Sequence, residues 1–188
     1  MTSGINMCGE AAPKIDSEDF SVLVEEQQGR LYNFILRHIG HPTDAEDLAQ
    51  QTFVEAYKAL STFRGQSEMS TWLLGIAMNL VRNYLSRAPH RRYQFVAEDV
   101  LETTASGSTS PSDDAIFAQA LGQLGEELQN LPEELRQVLM LVAVDGISYD
   151  QAAGMLAIPI GTVRSRLSRA RSTLRDRLPH VVEVIDQD

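Results

Sequence analysis

The chain has one cysteine, Cys8, so an intramolecular disulfide framework is excluded and a reducing compartment is implied. No apolar segment reaches the roughly 20 residues of a membrane span. The N-terminus lacks the basic flank and apolar run of a signal peptide. A cytoplasmic protein is therefore expected. Aromatics are sparse at 6% and no strand-like alternating runs stand out, which points to an all-α protein. The four histidines, His38, His41, His90 and His180, show no metal spacing, and Cys8 stands alone. No catalytic residue, metal or cofactor is expected. Basic residues are also few, 16 against 26 acids, and a net charge of −10 argues against a general nucleic-acid coat protein.

What is present is concentrated in Ile147 to Arg177. Ser148 and Gln151 form a capping box that can start a helix. Ala152, Ala153 and Leu156 give it a small apolar face. Pro159 interrupts, because it restricts Ile158 and cannot extend a preceding helix. A second helix is expected from Gly161–Thr162, with Thr162 as N-cap. Val163, Leu167, Ala170 and Leu174 form its inward stripe, and Arg164, Ser165, Ser168, Arg169 and Ser172 its opposite side. This is the layout of a helix-turn-helix whose second helix enters a DNA major groove. Arginine bonds bidentately to guanine, and serine is a short donor and acceptor near base edge or phosphate. Between Gly161 and Pro179 six arginines stand against the single acid Asp176.

Charge elsewhere is just as uneven. Residues 1–60 carry net −6, residues 61–95 net +4, and residues 96–150 net −10. Two basic islands far apart in sequence imply two phosphate-facing surfaces.

Along the chain, residues 1–16 read as a disordered leader. A helix is expected from Ser17 and a second, more apolar one over Arg30–Ile39, ended by Gly40-His41-Pro42. Thr43 and Glu46 form a capping box opening a helix to Leu60. Its core positions are Leu48, Phe53, Ala56, Tyr57 and Leu60. Asp47, Gln50, Gln51, Val54 and Lys58 share another side, which pattern alone reads as a solvated face or a docking one. After a polar loop, Ser70 is expected to cap a helix with core positions Leu73, Ile76, Ala77, Leu80, Tyr84 and Leu85. Asn79, Arg82, Asn83, Ser86 and Arg87 lie to another side. Phe63 and Trp72 each read as core alone. Beside an Arg/Asn row they also suit single-stranded DNA, on whose bases aromatics stack. Residues 95–114, rich in Ser, Thr and acid, read as a linker. They divide the chain into small helical domains at 17–94 and 115–179, with a tail at 180–188. The second domain opens with a helix through Ile116, Leu121, Leu124 and Leu128. Another, with Pro132 at its first position, runs to Val144 and ends at Asp145-Gly146.

Three stretches, DAEDLAQQTFVEAYKAL, TFRGQSEMSTWLLGIAMNLVRNYL and LPEELRQVLMLVAVDGISYDQAAGMLAIPIGTVRSRLSRAR, resemble the extracytoplasmic-function (ECF) group of sigma-70 RNA polymerase factors. They cover most of residues 43–87 and 131–171, in the family's order. TWLLGIAMNLVRN with IPIGTVRSRLSRAR is also similar to the subgroup that activates type III secretion genes.

The resemblance implies region 2 at 17–94 and region 4 at 115–179. Asp47, Gln50, Gln51 and Phe53 would meet the clamp helices of the largest polymerase subunit, and region 4 the flap of the second-largest. Phe63, Arg64, Trp72, Asn79, Arg82, Asn83 and Arg87 would serve the −10 element, with a flipped base captured at the Phe63 loop and Asn79. Arg164, Ser165, Ser168 and Arg169 would read the −35 element, with Thr162, Arg166 and Arg171 on phosphates or structural. Promoter DNA and polymerase core are the implied partners, and an anti-sigma factor is a further one. The competing reading is a helix-turn-helix regulator binding a palindromic operator as a dimer. It leaves the side of Asp47 and the second basic island without a role.

Overall fold

The computed structural model describes residues 17–65, 67–87 and 111–178. Every regular element among them is helical. The leader 1–16, residues 95–110 of the expected linker and the tail 180–188 lie outside the described residues.

Helix α1 spans Ser17–Ile39 without a break, so the two helices expected here are one. The glycine at position 29 costs about 1 kcal/mol of helix propensity. Burial of Leu31, Phe34, Ile35 and Ile39 to 1% exposure or less outweighs that cost. Gly40, at φ 71, closes the helix. Helix α2 runs Pro42–Ala59 and tightens into a 3-10 turn at Leu60–Thr62. The expected Thr43–Glu46 box does not form. Proline takes the first helical position, so the N-cap falls on His41, without a side-chain cap bond. Tyr57, expected in the core, is 57% exposed, while its ring meets Phe20 edge-on at 5.2 Å.

Helix α3, Met69–Arg87, begins ahead of Ser70, and the Trp72 amide bonds the Glu68 carbonyl at 3.0 Å. Its buried residues are Leu73, Leu74, Ala77, Met78, Val81 and Leu85. Ile76, Leu80 and Tyr84 are only partly covered. Leu74, Met78 and Val81 were not among the expected core positions. They are buried because α3 packs on α1, on α2 and on a helix of the second half, so its apolar face is wider than one stripe. The Tyr84 hydroxyl donates to Asp44 Oδ2 at 2.6 Å and ties α3 to α2.

The second half opens with α4, Pro111–Asn130, which begins inside the stretch expected to be linker. Helix α5, Glu133–Leu139, is N-capped by Pro132 and passes into a π-helical turn at Met140–Val144 rather than staying α. The buried Arg136 reaches the carbonyls of Leu128 and Leu131 at 3.4 and 3.3 Å. It so satisfies the C-terminus of α4 with a cation, where the helix dipole favours one.

Helix α6, Tyr149–Leu156, carries the full Ser148–Gln151 capping box. Ala157 takes a left-handed conformation at φ 53. Helix α7, Ile160–Arg177, starts from Pro159 as N-cap, so Thr162 lies inside its first turn instead of capping it. Val163, Leu167 and Ala170 are buried and Leu174 half-buried, as the spacing requires. One apolar cluster runs through both halves, and α6 packs on α3.

Candidate nucleic-acid interface

Three polar faces stand out on this frame. The first is on α7. Helical periodicity that buries Val163, Leu167 and Ala170 leaves Arg164, Ser165, Ser168, Arg169 and Arg171 exposed. The Ser165 hydroxyl donates to the Thr162 carbonyl at 3.0 Å, and Thr162 itself is half-buried. Arg166 is engaged differently: its guanidinium pairs with Glu134 of α5. Arg177, near the helix end, pairs with Glu127 of α4 at 2.9 Å. The arginines of this helix thus divide into members that brace it against α4 and α5 and members, Arg164 and Arg169, that face outward. Spacing alone puts Arg164 and Arg169 opposite the inward stripe, but the acid partners of Arg166 and Arg177 come from the packing of α7 on α5 and α4.

The second face is on α3 and the loop before it. Asn79, Arg82, Asn83 and Arg87 are exposed in one row. Phe63 and Trp72 are half-buried, their rings 5.1 Å apart and tilted by 52°. Trp72 packs against the core, as its core reading requires. Arg64 is exposed next to Gly65, whose φ of 67 turns the loop.

The third face is on α2, where Asp47, Gln50 and Gln51 are exposed and Val54 is 51% exposed. Phe53, which periodicity assigns to the core and the resemblance to the polymerase contact, is half-buried against the core. It sits roughly opposite Gln51 around a helix of 3.6 residues per turn.

The tertiary structure adds a cluster that the sequence did not signal. Asp145, read there only as a helix end, lies against the last turn of α1. Its Oδ1 accepts from Arg37 Nε at 3.1 Å and Nη2 at 2.8 Å, and its Oδ2 lies 2.9 Å from His38 Nε2. The Asp145 and His38 side chains are 3% and 1% exposed. Helix α6 faces α3 across a cleft of about 370 Å³. Trp72, Ile76 and Asn79 line one wall, and Gln151, Gly154 and Met155 the other.

Among the described residues no group of acids, histidines or cysteines is arranged to hold a metal ion. Nor is any described helix long and apolar enough to cross a membrane.

Comparison with known proteins agrees with this division. Residues 23–91 match the family description "Sigma-70 region 2" and residues 121–174 match "Sigma-70, region 4". The chain is 30% identical over 169 residues to the ECF RNA polymerase sigma-E factor of Haemophilus influenzae, covering 87% of this chain and 89% of that one. It is 32% identical over 179 residues to that of Escherichia coli, covering 92% and 93%. Among solved structures, it resembles the sigma factor RpoE in complex with the anti-sigma factor NepR from Bartonella quintana, with a TM-score of 0.62, 23% identity and coverage of 87% and 98%. It also resembles CnrH in complex with the cytosolic domain of CnrY, with a TM-score of 0.59, 25% identity and coverage of 92% and 91%. These relatives lend no support to the type III secretion subgroup, and none to a palindrome-binding regulator.

Proposed function

The chain belongs to the extracytoplasmic-function sigma factors of the sigma-70 family, and on that footing we propose the following division of labour within it. The factor joins RNA polymerase core through the α2 face of Asp47, Gln50 and Gln51, on the clamp helices of the largest subunit. Region 4 rests on the flap of the second-largest. Arg164, Ser165, Ser168 and Arg169 read the −35 element in the major groove. Arg171 and Thr162 serve phosphates, and Arg166 holds α7 to α5. At −10, Phe63, Trp72 and Asn79 receive an unstacked base, while Arg64, Arg82, Asn83 and Arg87 follow the backbone.

The observation that supports this most is the coexistence of two outward polar rows, on α3 and α7, in a chain whose net charge is −10. Such a chain has little general affinity for DNA. Local cationic rows then act only when another body brings them to a promoter. Base capture costs a few kcal/mol of unstacking, which a fitted pocket offsets. No catalytic step and no cofactor belong to this mechanism, and the site of action is the cytoplasm. The likeness to CnrH, solved with the cytosolic domain of CnrY, supports a further protein partner for this chain, which we take to be an anti-sigma factor.

The test is reconstitution. The purified chain, mixed with polymerase core and a genomic promoter library, is expected to start transcripts at a defined promoter set. Failure to associate with core, together with tight binding to a symmetric operator by the chain alone, would overturn the reading.

A further inference from the structure

The arginines of α7 fall on two flanks of the helix. At about 100° per residue, Arg164, Arg171 and Arg175 lie within about 40° of one another, and all three are exposed. Arg166 and Arg177 stand on the other flank, separated by three turns and about 20°, where both border the buried Ala170. The flanks differ in company. Arg166 pairs with Glu134 of α5, and Arg177 with Glu127 of α4 at 2.9 Å. Among the described residues no other arginine of α7 has an acid partner.

Both acids come from one corner of the fold. Glu127 is in the last turn of α4 and Glu134 in the first turn of α5. Arg136 ties the corner by donating to the Leu128 and Leu131 carbonyls. An acid at the start of α5 suits the helix dipole, but an acid in the last turn of α4 opposes it. No basic residue in that turn offsets Glu127. Its position is thus unfavourable for its own helix, and what it meets there is Arg177. The pairs add little to stability, because solvent screens them: Glu134 is 70% exposed and Arg177 45%. Their effect on a polyanion is larger. An arginine held by a carboxylate must give up that partner to neutralise a phosphate. Each pair therefore removes about one cation from the sequence-independent part of DNA binding.

We propose that Glu134 and Glu127 are specificity-determining residues, which mask Arg166 and Arg177 so that only the Arg164–Arg171–Arg175 flank of α7 is open to phosphates. This rests on the reading of α7 as the −35 helix. With both flanks cationic, any duplex could grip α7 from either side, and the base-reading face would roll away from the base edges. With one flank masked, phosphate contact and base contact come from the same roll of the helix. The masking penalises wrong sequences more than the right one, and specificity is that difference.

The test uses holoenzyme assembled from polymerase core and the full chain, on a promoter with its −35 element intact and with that element scrambled. Glu134→Gln is expected to raise affinity for the scrambled duplex by about threefold or more and to steepen the slope of log affinity against log salt by about 0.9, one phosphate's worth. Affinity for the intact element should change less, so the ratio between the two duplexes falls. Glu127→Gln is an independent second variant with the same expected direction. Adding Arg166→Gln to the first, or Arg177→Gln to the second, is expected to return slope and scrambled-duplex affinity to the parent's values. Acids that served only to hold α7 in place would lower affinity on both duplexes and leave the slope unmoved. That outcome in both variants would overturn the proposal, as would a steeper slope that survives removal of the paired arginine. If the parent holoenzyme does not distinguish the two duplexes, the −35 assignment of α7 fails instead, and the slopes alone then decide whether the acids mask the arginines.

Discussion

Helices α3 and α7 carry the two polar rows, and they are built on opposite plans. Helix α3 buries six residues and packs against three other helices, so its row of Asn79, Arg82, Asn83 and Arg87 is the narrow remainder of a core element. Helix α7 buries three, and most of its surface is arginine and serine. The difference teaches where function is separable from folding. On α7 a side chain can be changed with little effect on the core. On α3 the neighbouring positions, Met78 beside Asn79 and Val81 beside Arg82, are fully buried.

The contrast can be broken most forcefully in the core. Met78→Ala is expected to destabilise the protein by ~2–5 kcal/mol, read as a lowered denaturation midpoint. Arg164→Ala on α7 should leave that midpoint within about 0.5 kcal/mol. If both unfolded the protein equally, the comparison would be void. Next in size, Arg164→Ala or Arg169→Ala should cost ~1–3 kcal/mol in holoenzyme binding to the −35 element. Equal losses on scrambled DNA would reassign them to phosphates. Asn79→Ala should weaken promoter opening by about 1 kcal/mol, roughly fivefold, with polymerase binding retained. Loss of polymerase binding would move Asn79 out of the DNA row.

Smallest of all, Arg166→Ala should change stability by only ~0–1 kcal/mol, because its partner Glu134 is largely exposed. It should also affect −35 affinity less than Arg164→Ala does. A larger DNA effect at Arg166 would mean that the ion pair opens on binding.

Much of this is legible in the sequence. The Ser148 box, the stop at Pro159 and the Val163–Leu167–Ala170 stripe are local signals, each carried by residues within one or two turns of each other. The structure departs from the sequence pattern where a local rule meets a competitor. The Thr43–Glu46 box lost to Pro42, which starts the helix earlier. The break near Gly29 lost to the burial of Leu31, Phe34 and Ile35. On α3, periodicity marks one face and not three neighbours, so the burial of Leu74, Met78 and Val81 does not show in it.

Sequence by itself settled the helical class, the two-part plan and which side of α7 is cationic, since propensity, capping and periodicity act over a few residues. Only the tertiary structure decided that Arg166 braces α5, that Tyr57 is exposed, that Met78 and Val81 are buried, and that Asp145 meets Arg37 and His38. The physical reason is that a pattern states how much surface a residue hides but not what hides it. A partner 108 residues away is chosen by the packing of whole helices.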